Sequence, residues 1–530
     1  MRRFAFFVQV TLLAIFAQRV QAVAESPDET HFDIWEIQVE GAALIDDQRI
    51  ERIVYPHLGP GKSFADVEAA RDDLESAFRA AGFGTVAVTI PEQDVAEGVV
   101  RLAVIQGSVE RLTVSGSRYF SLGRIRSRVP GLSPGRVPNL PEVQQQLADL
   151  NRASPDRSVT PVLQPGRRPG GVEVELKVKD ELPVHGSVEL NDQYSRDTSR
   201  TRLNVAMRYD NLWQREHSIG IAYQLSPEDP SEVKVLSGTY MFHPTASDAL
   251  LALYAVKSDS DVLTLSSGSG GVGVLGKGVI TGARWINPLP GSRSVFHNLT
   301  LGLDYKDFED TVSPAGTDGF KTPISYAKFV AGYGGALNFD RTRVGYNLEA
   351  NFGVRAFGNT EKEFESKRFQ AKPNFLYLRA SSSIERTWLA DSRILLALSA
   401  QLASDPIISN EQFSLGGADT VRGYVETQLL ADDAIVGSLT LRSPSLHRYT
   451  RQEWLSNLRL FVFGDVAQAR ILEPLPDQAE DVTLGSVGLG LEFASPLGFE
   501  SRVVWARPLI RNGDIRPGES RFHVSFMHGF

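Results

Sequence analysis

Apolar and polar residues alternate along the second part of the chain, beyond about Leu182. An apolar residue stands at every second position, mostly with Gly, Asn or a charged residue between. The clearest examples are residues 203–209, 299–305, 344–352 and 487–493. A repeat of two places successive side chains on opposite faces of an extended strand. The pattern therefore predicts strands with one apolar face and one polar or glycine-rich face.

This strand pattern is compatible with a soluble sandwich or a transmembrane barrel. A soluble sandwich would carry mainly Lys, Glu and Thr on its polar face, whereas these strands carry Gly, Asn and opposite charges. A transmembrane barrel turns its apolar face to lipid and its polar face to a wet lumen. Residues 182–530 number 349, which at roughly 22 per strand and connection give about 16 strands. We predict a membrane β-barrel of about 16 antiparallel strands.

The segment before the barrel, residues 32–181, looks like two copies of one smaller unit. Each copy opens with an apolar strand pattern that ends in Gly, at residues 37–41 and again 75 positions later at 112–116. A Pro-Gly pair then precedes a helical pattern, at 64–81 in the first copy and 143–150 in the second. Each copy closes on alternating apolar residues, so the predicted element order is strand, helix, helix, strand, strand.

That order predicts a small α+β domain with two helices on one face of a three-stranded sheet. The predicted boundaries are residues 25–106, including a short amino-terminal extension, and residues 107–181. A sheet of this kind has an exposed edge, which can pair with an extended segment of another chain. The two domains are therefore either docking modules or spacers.

The amino terminus indicates the compartment. Two Arg precede a mostly apolar run at residues 4–17, and either Val20-Gln21-Ala22 or Ala22-Val23-Ala24 follows it as a small-residue pattern. The run of about 14 residues is shorter than the roughly 20 that a membrane-spanning helix needs. A positive start, an apolar centre and a small-residue end are typical of a cleaved signal peptide. We predict that residues 1–24 are a signal peptide and that the chain is exported.

Composition excludes several classes of function. The absence of Cys excludes disulfide bridges, thiolate zinc sites, iron–sulfur clusters and cysteine nucleophiles. A formal net charge of −9 lacks the basic excess that follows a nucleic-acid backbone, so no nucleic-acid partner is expected. The nine His are scattered without metal-ligand spacing, and no catalytic set is recognisable. We expect no metal, no cofactor and no enzymatic activity.

Two segments of the predicted barrel carry a candidate mechanism. One is a polar, glycine-rich connection around residues 413–430 that contains Arg422, and the other is a strand in which Phe461, Phe463 and Asp465 share one face. A carboxylate that faces a restricted lumen needs a cation to offset its lost hydration. Arg422, on a loop folded into the barrel, can supply that cation through two parallel hydrogen bonds.

The two residues after Arg422 fit the same picture. Gly423 lets the loop backbone approach another segment closely, and Tyr424 can pack on the barrel wall. The residues leave open whether the contact between Arg422 and Asp465 switches during function or braces the barrel permanently.

The carboxy terminus has an aromatic pattern of its own. The chain ends on an alternating strand in which Phe522, Phe526 and Phe530 share one face. A terminal Phe on such a strand, with Phe526 before it, resembles the signal that bacterial outer-membrane barrels present to their assembly machinery. We expect this strand to close the barrel.

The candidate motifs resemble those of a known group of proteins. Val421-Arg422-Gly423-Tyr424 is similar to the sixth-loop motif of the outer-membrane assembly and secretion superfamily that includes BamA. The Phe-x-Phe-x-Asp pattern that ends at Asp465 resembles the partner strand motif of that superfamily. The resemblance implies that these residues meet inside the barrel.

Residues 32–181 resemble one particular family within this superfamily. Their two units are similar to paired POTRA domains, and the segments 150–152, 156–160 and 163–166 are similar to the second POTRA domain of the haemolysin secretion/activation family. That family comprises the TpsB transporters of two-partner secretion, such as ShlB, FhaC and HecB. Ala467 departs from the family's Gly, and the few residues between position 24 and Phe32 are too short for a pore-plugging helix, so the infolded loop would be the main closure.

The resemblance implies a location, a function and partners. The protein would lie in the bacterial outer membrane with its POTRA domains in the periplasm, where they capture an unfolded, secreted TpsA-like protein encoded nearby. That partner would pass through the barrel and fold outside. Outer-membrane lipid and the barrel assembly machinery would be further partners. The main alternative is a BamA- or TamA-like insertase, although insertases usually have three or more POTRA domains; a porin or an enzyme explains the motifs less well.

Overall fold

A computed structural model describes most of the chain. The described residues are 31–41, 44–95, 97–168, 170–196, 198–244, 248–260, 264–265, 273–274, 276–312, 320–446, 457–476 and 478–530. The predicted signal peptide, residues 1–24, lies outside them. The chain divides between Asp180 and Glu181 into two compact units.

The amino-terminal unit begins with a small sheet covered by helices on one face. Its elements are β1 (Phe32–Ile34), β2 (Glu36–Glu40), α1 (Asp47–Val54), β3 (Gly59–Lys62), α2 (Phe64–Ala80), β4 (Val86–Thr89) and β5 (Val99–Gln106). The sheet order is β2-β5-β4, and the short strands β1 and β3, which the sequence pattern did not predict, pair separately. Leu74 and Phe78 of α2 are fully buried with Val100 and Leu102 of β5, and each such side chain contributes about 1.5–3 kcal/mol.

Helix α2 begins with reciprocal capping. The Ser63 backbone N–H donates to the Asp66 carboxylate at 2.8 Å, and the Ser63 hydroxyl lies 3.0 Å from the same oxygen. These hydrogen bonds, from the Ser63 backbone first and its side chain second, hold the pKa of Asp66 below its usual value. The cap fixes the point at which the helical pattern begins.

A second sheet of the same order follows. Its elements are β6 (Val109–Ser115), α3 (Leu122–Ser127), α4 (Leu140–Arg152), β7 (Arg157–Pro165) and β8 (Val172–Asp180). The sheet order is β6-β8-β7, with β6 parallel and β7 antiparallel to β8. The predicted order of strand, helix, helix, strand, strand is confirmed in both copies.

The segment around residues 150–160, which resembles the second POTRA domain of the family named above, joins α4 to β7. Asn151 donates to the Val159 carbonyl at 3.1 Å and accepts from the Val159 N–H at 2.8 Å. Arg157 is buried, donates to the Leu150 carbonyl at 2.7 Å and stacks over the Phe120 ring. The segment therefore positions a helix against an edge strand of its own domain.

A carboxylate fixes the turn between β7 and β8. Glu110 accepts from the backbone N–H of Arg168 at 2.7 Å and of Arg167 at 3.1 Å, and these two bonds lower its pKa. A Cβ at Gly171 would lie 1.9 Å from the Glu110 carboxylate, so a side chain there would displace the carboxylate from this turn.

Within the described residues, the second unit is a closed, antiparallel barrel of sixteen strands, as the alternation predicts. The strands are β9 (Val184–Asn191), β10 (Arg202–Leu212), β11 (His217–Leu225), β12 (Val233–Phe242), β13 (Leu250–Ser260), β16 (Gly278–Pro288), β17 (Val295–Val312), β18 (Phe320–Asn338), β19 (Thr342–Gly358), β20 (Leu376–Thr387), β21 (Arg393–Ala403), β24 (Asp433–Arg442), β25 (Leu458–Arg470), β26 (Asp481–Ala494), β27 (Phe499–Pro508) and β28 (Arg521–Gly529). The connections carry β14 (Thr264–Leu265), β15 (Gly273–Val274), α5 (Glu361–Lys367), β22 (Phe413–Leu415) and β23 (Leu429–Ala431). The predicted fold class is confirmed.

The two faces of the strands differ as a membrane barrel requires. On β17, Leu299, Leu301 and Leu303 are 38–47% exposed, whereas Asp304 and Lys306 are 2% and 5% exposed. Apolar side chains point outward and charged ones inward. In the described part of the chain, no helix combines the length and apolarity needed to cross a membrane.

The barrel closes along a short seam between β28 and β9. This seam has five registered residue pairs, whereas β17 and β18 share eighteen. Phe530 extends the seam by exchanging backbone hydrogen bonds of 2.9 and 3.0 Å with Gly186. Phe526 and Phe530 are 53% and 67% exposed. Among the pairings of the barrel strands, the seam therefore has the fewest registered residue pairs.

Candidate functional site

The connection between β21 and β24 folds against the inner wall of the barrel. Val421 and Tyr424 are fully buried, and they belong to one apolar cluster with Val436, Ala467 and Leu484 of the wall strands. Ala467, the position that departs from the family pattern, thus contributes to the surface on which the loop packs. We call residues 404–432 the infolded loop.

The structure brings Arg422 and Asp465 together. Arg422 Nε lies 2.9 Å from Asp465 Oδ2, and Nη2 lies 2.6 Å from Oδ1. The Arg422 backbone N–H also donates to Oδ2 at 3.1 Å, and the hydroxyls of Ser438 and Ser486 donate to the two oxygens at 2.8 and 3.1 Å. The Asp465 side chain is fully buried, so five donors replace its lost hydration.

The aromatic residues of the strand motif, Phe461 and Phe463, lie next to the ion pair of Arg422 and Asp465. The Arg422 guanidinium lies 3.4 Å from the centroid of the Phe463 ring, an attractive cation–π geometry. Phe461 and Phe463 stand opposite Gly490 and Gly488 of β26 in the strand register. A Cβ at Gly488 would lie 2.5 Å from the Phe463 ring. Gly488 and Gly490 of β26 therefore leave space for the rings of Phe463 and Phe461.

Gly423 and Tyr424 attach the loop to the next strands. A Cβ at Gly423 would lie 2.8 Å from the Pro508 backbone nitrogen and 2.8 Å from Ser486 Cβ, so the loop touches the wall at this point. The Tyr424 hydroxyl donates to the Ile510 carbonyl at 2.6 Å. All four residues of the Val-Arg-Gly-Tyr motif thus contact the barrel.

The last strand also reaches the motif, through a residue that sequence reasoning missed. His523 of β28 is buried, and its Nε2 lies 2.6 Å from the Arg422 carbonyl oxygen. Because a carbonyl only accepts, Nε2 carries the proton. His523 faces inward between two outward-facing residues of an alternating strand, which the pattern could have indicated, although its partner could not be read from the sequence.

Two protein-family models match parts of the chain. Residues 32–107 match the model "POTRA domain, ShlB-type", and residues 324–493 match "Haemolysin secretion/activation protein ShlB/FhaC/HecB". Two separate parts of the chain are thus similar to this family. These matches, the outer membrane transporter relatives and the barrel place the protein in the bacterial outer membrane with its POTRA domains in the periplasm.

Curated proteins similar to this chain are transporters. The outer membrane transporter CdiB of Escherichia coli O6:K15:H31 (strain 536 / UPEC) is 28% identical over 181 residues, which are 34% of this chain and 30% of CdiB. A second Escherichia coli CdiB is 25% identical over 417 residues, 74% of this chain and 66% of that protein. The heme/hemopexin transporter protein HuxB of Haemophilus influenzae (strain 86-028NP) is 19% identical over 96% of this chain and 89% of HuxB. The chain thus matches between about a third and two thirds of the length of these CdiB relatives.

Solved structures share the fold. CdiB from Escherichia coli superposes with a TM-score of 0.59 at 19% identity, covering 97% of this chain and 93% of that one. BamA from Haemophilus ducreyi lacking POTRA domains 1–3 gives a TM-score of 0.58 at 15% identity, covering 94% of this chain and all of that one. The architecture is therefore common to transporters and to BamA.

Proposed function

We propose that the protein exports an unfolded secreted partner protein across the outer membrane by two-partner secretion. The observation that carries this proposal is the match to the haemolysin secretion/activation family in a chain whose barrel contains an infolded loop. The transporter relatives CdiB and HuxB support the same class of function. The partner is a TpsA-like protein encoded nearby, and the protein acts as a transporter rather than an enzyme.

We propose that the POTRA domains capture this partner by strand addition or in an apolar groove. The edge strand β7 of the second domain is nine residues long and pairs only through β8 within its sheet. An extended segment of the partner can add to such an edge through backbone hydrogen bonds. The domain boundaries at residues 25–106, 107–181 and 182–530, and the signal peptide at 1–24, belong to this proposal.

Export then requires a path through the barrel and a driving force. The infolded loop occupies part of the lumen, so we propose that it shifts when the partner passes and that the pair of Arg422 and Asp465 holds its resting position. Folding of the partner outside the cell withdraws the chain from the pore and supplies the drive without a cofactor. Phe526 and Phe530 serve earlier, as the signal that the assembly machinery reads.

The second candidate function is a BamA- or TamA-like insertase. Two observations favour it: the fold matches BamA, and the seam between β28 and β9 has only five registered pairs. An insertase would open such a seam toward lipid. The two POTRA domains of this chain are fewer than insertases usually carry, so we prefer the transporter.

Export in cells tests the proposal. The gene is deleted, and the protein encoded beside it is assayed outside the cell together with the outer-membrane barrels. We expect that one exported protein to disappear while the barrels stay at their normal level, and complementation restores it. A general loss of barrels would establish the insertase, and normal export of the neighbour would reject the transporter.

A further inference from the structure

A second charged residue of the infolded loop is buried in the barrel wall. Glu411 lies eleven positions before Arg422, and its side chain is 1% exposed. The hydrogen-bond partners of its carboxylate belong to β17, β18 and β20, whereas those of the Arg422 guanidinium belong to β24 and β25. The loop is thus fixed to two separate parts of the wall.

Four side chains converge on the Glu411 carboxylate, two on each oxygen. Lys306 Nζ lies 2.5 Å and the Tyr326 hydroxyl 2.6 Å from Oε1. The Tyr377 hydroxyl lies 2.6 Å and Lys328 Nζ 3.3 Å from Oε2. All four donors are nine-tenths or more buried. A carboxylate with two ammonium and two phenol donors is fully satisfied, and it compensates two buried positive charges.

The wall carboxylate nearest to these lysines is already engaged by another cation. Asp304 is the inward carboxylate beside these lysines; Lys328 Nζ lies 3.7 Å from it, but a bidentate contact with Arg284 already occupies its two oxygens. Asp304 is therefore already engaged by Arg284, and Glu411 brings Lys306 and Lys328 a second carboxylate. Without that carboxylate two buried lysines would lose their closest counter-charge.

The two contacts have opposite polarity. At Asp465 the wall supplies the anion and the loop the cation, whereas at Glu411 the loop supplies the anion and the wall the cations. We propose that β17, β18 and β20 form a carboxylate-binding site that Glu411 fills, and that this site is a second anchor of the infolded loop, independent of the Arg422–Asp465 pair. The inference rests on the proposed role of the loop in closing the pore.

Pore conductance of the purified full chain in planar lipid bilayers tests this anchor without any exported partner. Glu411→Gln keeps the shape of the side chain and removes its charge, so we expect the open fraction to rise at least about tenfold. Asp307→Asn is the matched control, because it removes a carboxylate beside Lys306 on the exposed face of β17. We expect no change for it.

Two further variants keep the test decisive. Tyr377→Phe removes one donor while the buried ring stays, and we expect a smaller rise in the same direction. The double variant Glu411→Gln with Arg422→Ala should open more than either single variant, because independent contacts add. Each barrel is first checked for heat-modifiable electrophoretic mobility.

The outcome that overturns the anchor is a folded Glu411→Gln barrel with wild-type conductance. A folded Tyr377→Phe barrel without any rise would also contradict the proposed site. Because no partner is present, these results are separate from those of export. A failed export assay together with a raised conductance would reject the transporter while keeping the anchor.

Discussion

Asp465 is a buried carboxylate on a strand whose two preceding inward residues are Phe461 and Phe463. Its two oxygens accept from the Arg422 fork, from one backbone N–H and from two serines, so the charge is compensated in every direction. A buried pair of this kind contributes little net stability, but losing one partner leaves an uncompensated charge. At the scale of the residue, the pair therefore specifies where the loop lies more than how stable the barrel is.

This predicts distinct results for two substitutions at Arg422. Arg422→Ala should weaken loop attachment by about 3–5 kcal/mol, because Asp465 stays buried without its cation. Arg422→Lys keeps the charge but loses the parallel hydrogen bonds, so we expect an intermediate defect. Both should reduce export of the partner, measured outside the cell, while the barrel still assembles.

Arg470→Lys is the matched control. Arg470 lies on β25, the strand that carries Asp465, but its ion pairs are exposed. We expect export by this variant to equal that of wild type. Normal export by Arg422→Ala would reject a role of the pair in transport.

At the scale of the element, the infolded loop and the wall fit each other through small residues. Gly488 and Gly490 leave space for the two rings of β25, and Gly423 lets the loop backbone reach Ser486 and Pro508. None of these glycines needs an unusual backbone conformation, so the reason for glycine is space. The position of the loop depends on contacts at van der Waals distance along several strands.

The fit at Gly423 yields a steric prediction. In Gly423→Ala the added methyl would lie 2.8 Å from the Pro508 backbone nitrogen, so the loop must move away from the wall. We expect reduced export with normal barrel assembly, scored by secretion and by heat-modifiable mobility. In Gly464→Ala the nearest atom is 4.0 Å away, and we expect no change. Equal export by the two variants would contradict the proposal that close contact between Gly423 and the barrel wall is needed for transport.

At the scale of the whole molecule, closure of the barrel distinguishes the two candidate functions. A transporter passes its partner through the lumen, whereas an insertase opens the seam between β28 and β9. Gly186 and Phe530 exchange both backbone hydrogen bonds, and such pairs alternate along antiparallel strands. Glu189 and Met527 therefore form a pair without hydrogen bonds, in which the Cα atoms are about 4.5 Å apart.

That spacing allows a disulfide across the seam. The double variant Glu189→Cys with Met527→Cys introduces the chain's first thiols, so the bond forms without competition. We expect export to be equal in the oxidised and reduced states, because the lumen stays available. Export that stops on oxidation and returns with a reductant would instead indicate that the seam must open.

The sequence predicted much of the fold because its patterns are local. Alternation such as that at residues 299–305 predicts a strand and its outward face, and the chain length beyond Leu182 predicts about 16 strands, as the barrel has. The 75-residue offset predicted two similar domains. The short strands β1 and β3 were missed, since strands of three and four residues show no period.

The sequence alone determined the barrel, the two front domains and the candidate pair of Arg422 with Asp465, because periodicity and the need of a buried carboxylate for a cation are readable from the chain. Only the tertiary structure decided that Ser438, Ser486 and His523 complete this site and that Glu411 enters a second one. Those partners lie on strands far apart in sequence. Strand register and the path of the loop bring them together, and neither follows from local pattern.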